Sequence, residues 1–191
     1  MTGDRIFNAA KALLAEEGLS GLSIRKIAKM AGLSPMAVYR HFADKDAIIN
    51  ALMLDGIEAW EARVEAIETV DSLTWLDDQM NAFLAFALDE PHRFDAAFFL
   101  PASQARRFPE DFAAGRSKGV ATMIAHIERA QAAGRIDATP AMDIALTLVA
   151  LAQGMVSMHR ARRFSGDAQF AQLFRATLRQ GLASYRMAPP G

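Results

Sequence analysis

Apolar residues recur along the chain at spacings of three and four, and the residues that break helices fall between those stripes instead of inside them. Ile6, Ala9, Ala10, Leu13 and Leu14 make the inner face of a first helix, which Gly18 stops. Ser23 is placed to cap a second, with Ile24, Ile27, Ala28 and Ala31 inward and Gly32 at its end. Ser34 caps a third, with Pro35 in the first position, where a missing N–H costs nothing. The spacing predicts that this short helix runs from Pro35 to about Phe42. Asp44 caps a long fourth helix carrying Ala47, Ile48, Ala51, Leu52, Ile57 and Trp60, which connects a small head to a larger body.

In the body, Ser72 to Leu88 reads as a helix that must be covered twice: Leu76, Met80, Phe83 and Leu84 form one stripe, and Trp75, Ala82 and Phe86 another. Pro91 and Pro101 bracket a short aromatic segment with Phe94, Phe98 and Phe99. Pro109 is expected to open one long helix through Phe112, Val120, Met123, Ile124 and Ile127 to Gly134. Thr139 and Pro140 start the next, through Ile144, Leu148, Leu151 and Met155. Asp167 starts the last, through Phe170, Phe174, Thr177, Leu178 and Gly181. The expected fold is all-α, about nine helices, with a three-helix head over residues 1–46 and a helical ligand-binding and dimerisation body over residues 47–191.

Composition narrows the function class. A chain that is 52% hydrophobic and 23% charged should fold, and without cysteine it has no disulfide, thiolate metal site or thiol nucleophile. The N-terminus lacks a signal sequence, and Ile144 to Met158, interrupted by Thr147, Gln153 and Gly154, reads as too short to span a bilayer, so a cytoplasmic protein is expected, with no membrane partner. Net charge is −1, yet residues 1–43 hold six Lys/Arg against three Asp/Glu, and the remainder holds 15 against 19. A basic head on an acidic body puts the electrostatic footprint for nucleic acid at the N-terminus.

Two short helices joined by a glycine-containing turn make a helix-turn-helix, whose second helix enters the DNA major groove. Here the pieces are SIRKIAKMAG, the turn at Gly32 to Ser34, and PMAVYRHF. Ala28 is small where the helices cross, and Val38 and Phe42 fill the core beneath the third helix. Residues 21–54 closely resemble the DNA-binding head of the TetR family of bacterial regulators: Ile27 and Ala28, the AGLS turn, the VYRHF run and Lys45. GRIDATPAMDIALTLVALAQGM and the final TLRQGLASY resemble the family's last helices more weakly.

The resemblance implies a ligand-controlled repressor that grips a palindromic operator as a homodimer, its last two helices pairing with their twins. It implies that Tyr39 and Lys45 hold phosphates and that Ser23 and Arg25 contact DNA from the second helix. Ser34 belongs to the same surface, and Pro35, Met36, Ala37, Arg40 and His41 match the variable reading face. Pro35, Met36 and Ala37 can touch thymine methyls but make no bidentate base bonds, so Arg25 and Arg40 are the expected guanine readers.

No catalytic constellation accompanies this motif. His41, His92, His126 and His159 are scattered without metal-ligand spacing, and no cofactor or metal is expected. The expected pocket residues, for a small apolar or aromatic ligand, are Phe83, Phe86, Phe98, Phe99, Met123, Met155 and His159. Ile144, Leu148, Leu151, Phe170, Phe174 and Leu178 are the expected dimer interface, since they offer more apolar stripe than one small body needs. Two rival readings stand beside this one. One is a helical small-molecule-binding protein or enzyme with a vestigial head, and the other a ligand-blind regulator controlled by a protein partner.

Overall fold

The computed structural model of the chain describes residues 1–187. Its ten helices are α1 (Thr2–Gly21), α2 (Ile24–Ala31), α3 (Pro35–Tyr39), α4 (Lys45–Glu65), α5 (Ser72–Asp89), α6 (Pro91–Phe98), α7 (Glu110–Ala113), α8 (Lys118–Ala132), α9 (Ala141–Arg160) and α10 (Asp167–Ala183). Among the described residues the β pairing is a lone antiparallel bridge, Ile136 to Arg186. Caps begin the helices of the head as their residue types demand. Lys26 N–H donates to Ser23 Oγ at 3.3 Å, Ala37 N–H to Ser34 Oγ at 3.2 Å, and Ala47 N–H to Asp44 Oδ1 at 2.7 Å. Gly18 (φ 68°, ψ −170°) breaks α1 three residues before its end.

The chain forms two compact units. The first is Met1–Ala59 with Glu90–Ala105, and the second is Trp60–Asp89 with the chain from Arg106 onward. Sequence spacing puts the end of the head near residue 46, whereas the first unit continues along α4 and takes in α6 and the loop after it. Side chains explain the larger extent. Ile6, Leu13, Ile27, Val38, Ile48, Leu52 and Ala96 share one buried cluster, so α6 contributes to the head's core. Arg93 on α6 donates two hydrogen bonds to the Asp55 carboxylate, at 2.7 and 3.2 Å. The buried Asn50 side chain donates to Ser103 Oγ at 3.0 Å and accepts from Gln104 N–H at 3.1 Å, which pins the loop to α4.

In the second unit α5 packs against α8, α9 and α10, as a helix apolar on more than one side requires. Trp60 meets Phe83 edge-on at 5.3 Å and lies parallel to Phe86 at 6.5 Å. Gln79 is buried at the α5–α8 contact and donates through Nε2 to the Gly119 carbonyl at 2.9 Å. The single helix expected from Pro109 to Gly134 is instead two. Gly115 takes φ 69°, the Arg116 N–H bonds back to the Asp111 carbonyl, and the Arg116 guanidinium pairs with the Asp111 carboxylate at 2.7 Å. These contacts close α7 and let α8 start anew after Ser117.

α9 corrects two expectations. At 20 residues and a mean hydropathy of 1.6 it is long and apolar enough to cross a membrane by length and composition, so shortness is no argument against a span. Its buried residues, Ile144, Ala145, Leu148, Ala152 and Val156, lie on a helix packed against α5, α8 and α10. The apolar stripe assigned to a dimer is likewise already covered by its own chain: Ile144, Leu148, Phe170, Phe174 and Leu178 are buried, and half-buried Leu151 packs beside Gly181. Among the residues left open are Leu146, Ala150, Gly154 and Met158 on α9, four apart, with Leu173 and Ala176 on α10.

The closeness of α4 and α6 gives a stability test. A Cβ on Gly56 would sit 2.6 Å from the Arg93 carbonyl oxygen and 2.8 Å from the Ala97 nitrogen, backbone atoms that cannot swing aside. Gly56→Ala is expected to destabilise the first unit by about 1–3 kcal/mol, the usual cost of overpacking, read as a lowered urea midpoint at unchanged slope.

Candidate DNA-binding interface and a cleft in the body

The reading surface is built by opposing demands on neighbouring residues. Val38 is fully buried and Phe42 packs against the same cluster, so the other side of α3 must face water. That side carries Pro35, Met36 (65% exposed), Tyr39 (50% exposed), Arg40 and His41. Ala37 is half-buried, as is Lys45 at the start of α4, and Arg25 stands exposed on α2. Among the described residues Arg25, Lys29, Arg40 and Lys45 have no acidic partner, whereas Lys26 is paired with Glu17. Ser23 and Ser34 each use a lone pair as helix caps, so their hydroxyl protons remain available to a phosphate. The His41 ring lies beside the first turn of α1, 3.6 Å from where a Cβ on Gly3 would be.

Gly32 turns the chain between the two helices at φ 64°, ψ 40°, the left-handed region, with its N–H bonded to Lys29 and that of Leu33 to Ala28. Arg5, which sequence spacing leaves as one more exposed charge, reaches across from α1 and donates to the Ala31 carbonyl at 2.6 Å. It fixes the turn from outside, and no local motif marks it, because its partner is a backbone oxygen 26 residues away.

The expected pocket residues are dispersed. Phe98 and Phe99 ring Phe94 on α6 in the first unit, at 4.8 and 5.8 Å. Phe83, Phe86 and Met123 are core of the second unit, and Met155 is half-buried on α9. His159 stacks on Phe170 at 4.2 Å and sits 2.9 Å from the Asp167 carboxylate, which clips the turn between α9 and α10. The second unit has a cleft of about 590 Å³ between the end of α4, the start of α5 and α8, and none of the seven expected residues lines it. Trp75 and His126 form a stacked pair on its wall, rings parallel at 4.0 Å. His126 is 5% exposed, its Nδ1 has no hydrogen-bond partner, and burial, aided by the nearby Arg129, pushes its pKa down, so the ring stays neutral. Among the described residues no three His, Asp or Glu converge as a metal site would need.

A buried anchor, an outward basic helix and a capped glycine turn define a helix-turn-helix DNA-binding regulator. The family model "Bacterial regulatory proteins, tetR family" matches residues 6–52, and "Tetracyclin repressor-like, C-terminal domain" matches residues 76–180. The chain belongs to the tetR family of bacterial transcriptional regulators, and it is not an enzyme. It is 28% identical over 183 residues to the HTH-type transcriptional regulator UidR of Escherichia coli K12, covering 93% of this chain and 91% of that one. The fold is shared by a protein with unknown function from Rhodococcus sp. RHA1 (TM-score 0.76, 24% identity, 98% and 96% of the two chains). It is also shared by the TetR family regulator PfmR of Thermus thermophilus (TM-score 0.70, 21% identity, 94% and 98%).

The turn supplies a test of this interface. A β-branched residue at a positive φ costs on the order of 1–3 kcal/mol, and a Cβ on Gly32 would also stand 3.3 Å from Arg5 Nη2. Gly32→Val is expected to lose DNA affinity at least tenfold in a gel-shift titration, with helicity by circular dichroism largely kept. Wild-type affinity in this variant would show that the turn does not position α3.

Proposed function

We propose that the chain is a ligand-responsive repressor that binds a palindromic operator as a homodimer, with the body transmitting occupancy to the head. The observation that carries this reading is the division of α3, one residue wholly buried and its neighbours Met36, Tyr39 and Arg40 open to solvent. On DNA, Arg25 and Arg40 read guanine edges, Pro35, Met36 and Ala37 touch thymine methyls, His41 belongs to the same reading face, and Ser23, Ser34, Tyr39 and Lys45 hold backbone phosphates. Repression requires nothing beyond occupancy of the operator, and a DNA partner puts the working protein in the cytoplasm.

The dimer contact proposed is the uncovered face of the last two helices. Leu146, Ala150, Gly154 and Met158 repeat every four residues, so they lie along one side of α9, and α10 adds Leu173 and Ala176. Small residues at Ala150 and Gly154 admit a close helix, and a two-fold axis makes the face complementary to itself. Such a dimer reads inverted half-sites about one helical turn apart. Ligand control works as a population shift, the bound body favouring a head spacing that no longer fits two successive grooves. The covalent route is short, since α5 in the body runs through Asp89 and Glu90 straight into α6 of the DNA-binding unit.

Genomic footprinting would supply the operator for two tests. Lys45→Ala is expected to lower the slope of log affinity against log salt by about one, while sequence preference stays as it was, read by fluorescence anisotropy. An unchanged slope would remove Lys45 from the phosphate contacts.

The two apolar faces give opposite mutants. Leu146→Glu, on the open face, is expected to sediment as a folded monomer with wild-type melting of its helices and weakened operator binding, because tethering of two heads is lost. Leu178→Glu, 3% exposed inside the body, is expected to cost several kcal/mol of the chain's own stability. A Leu146→Glu protein that stays dimeric would move the contact elsewhere.

A further inference from the structure

The cleft in the second unit is chemically asymmetric. Its wall toward α4 holds two carboxylates, and each is already neutralised: Glu61 by Arg106 at 3.0 Å and Glu65 by Lys118 at 3.2 Å. Its wall on α8 holds Thr122, His126 and Arg129, spaced so that all three lie on one side of the helix. Arg129 uses its Nε on the Ala125 carbonyl at 3.2 Å, and among the described residues no acid faces its guanidinium. One turn away, His126 stands on the cleft wall, 5% exposed and stacked on Trp75, with no acid paired to it among the described residues. Val64, Ile67, Val70 and Ala121 supply apolar lining beside this pair.

From this we infer that the cleft takes an organic carboxylate with a compact apolar body, its two oxygens held by Arg129 and His126 and its body laid on the apolar lining. Guanidinium matches a planar carboxylate through two parallel N–H donors, and a neutral imidazole adds one donor from the ring nitrogen that carries its proton. The volume, about 590 Å³, is within the usual range for small-molecule sites and suits a body of about one or two rings. A cation of the same shape would meet Arg129, and a neutral analogue would leave its guanidinium without an anion. The inference rests on the ligand-responsive reading above and gives that reading a ligand class.

The test uses three probes of one shape: 1-naphthoate, 1-naphthalenemethanol and 1-naphthylmethylamine, titrated into the full-length protein by calorimetry without DNA. The expected order is saturable binding of the acid, affinity at least about tenfold weaker for the alcohol, and no binding of the amine. Arg129→Gln, a change at an exposed side chain, is expected to weaken the acid by about tenfold and leave the alcohol unchanged. His126→Phe, which keeps a ring against Trp75 but removes the nitrogen, is expected to weaken the acid alone. Equal affinity for acid and alcohol, an acid indifferent to Arg129→Gln, or an acid that does not bind at millimolar concentration overturns the carboxylate site. Addition of 1-naphthoate to the protein–operator complex separates the two readings. Binding through Arg129 with no change in operator affinity would keep the site and overturn ligand control.

Discussion

A helix of five residues has too few internal hydrogen bonds to persist in water, so the orientation of α3 depends on the burial of one side chain, Val38, beneath it. Val38 sits in a cluster made by α1, α2 and α4, and Phe42 packs against the same cluster one turn later. With that face held, the remaining side chains have no choice but to point outward. Specificity for DNA is thus prepared by hydrophobic packing before any nucleic acid arrives, and the polar groups at the surface need only be of the right kind. Arg5 adds the second constraint, tying the turn to α1 through a backbone oxygen that would otherwise end α2 unpaired.

The second unit is organised differently. Its long helices bury one face against each other and leave the other faces unequal: one side of α9 is apolar and small, and one side of α8 is polar and lines a cleft. Trp75 and His126 join these two roles, since each is nearly fully buried and each also borders the cleft. Anything that displaced their stacked rings would be felt by α5, and α5 continues within two residues into α6.

What the sequence makes legible is whatever depends on neighbours within one or two turns. Ser23, Ser34 and Asp44 cap as their types and spacing demand, Gly32 adopts the left-handed turn, and the alternation around Val38 marks α3 as half-buried. What is not legible depends on partners far along the chain. The periodic stripe on α9 and α10 gives the apolar face but not what covers it, and Ile144, Leu148 and Phe174 turn out to be covered from within. The break at Gly115 is local but hidden, because apolar residues resume in phase beyond the positive φ of Gly115 and the Arg116 to Asp111 bonds that close α7. His126 looks like one more scattered histidine until Trp75, 51 positions earlier in the sequence, is found stacked on it.

The membership of α6 in the DNA-binding unit has a consequence for how the protein is made. Ala96 is part of the core that holds Ile48 and Leu52, and Ser103 and Gln104 satisfy the buried Asn50 amide. A nascent chain emerging from the ribosome at about 5–20 residues per second therefore displays its three-helix motif for seconds before residues 90–105 arrive to close the same core. During that interval the polar Asn50 and the apolar side of α4 await partners not yet synthesised. The head matures late, after all of α5 has been made, although its reading helix is among the first segments to appear.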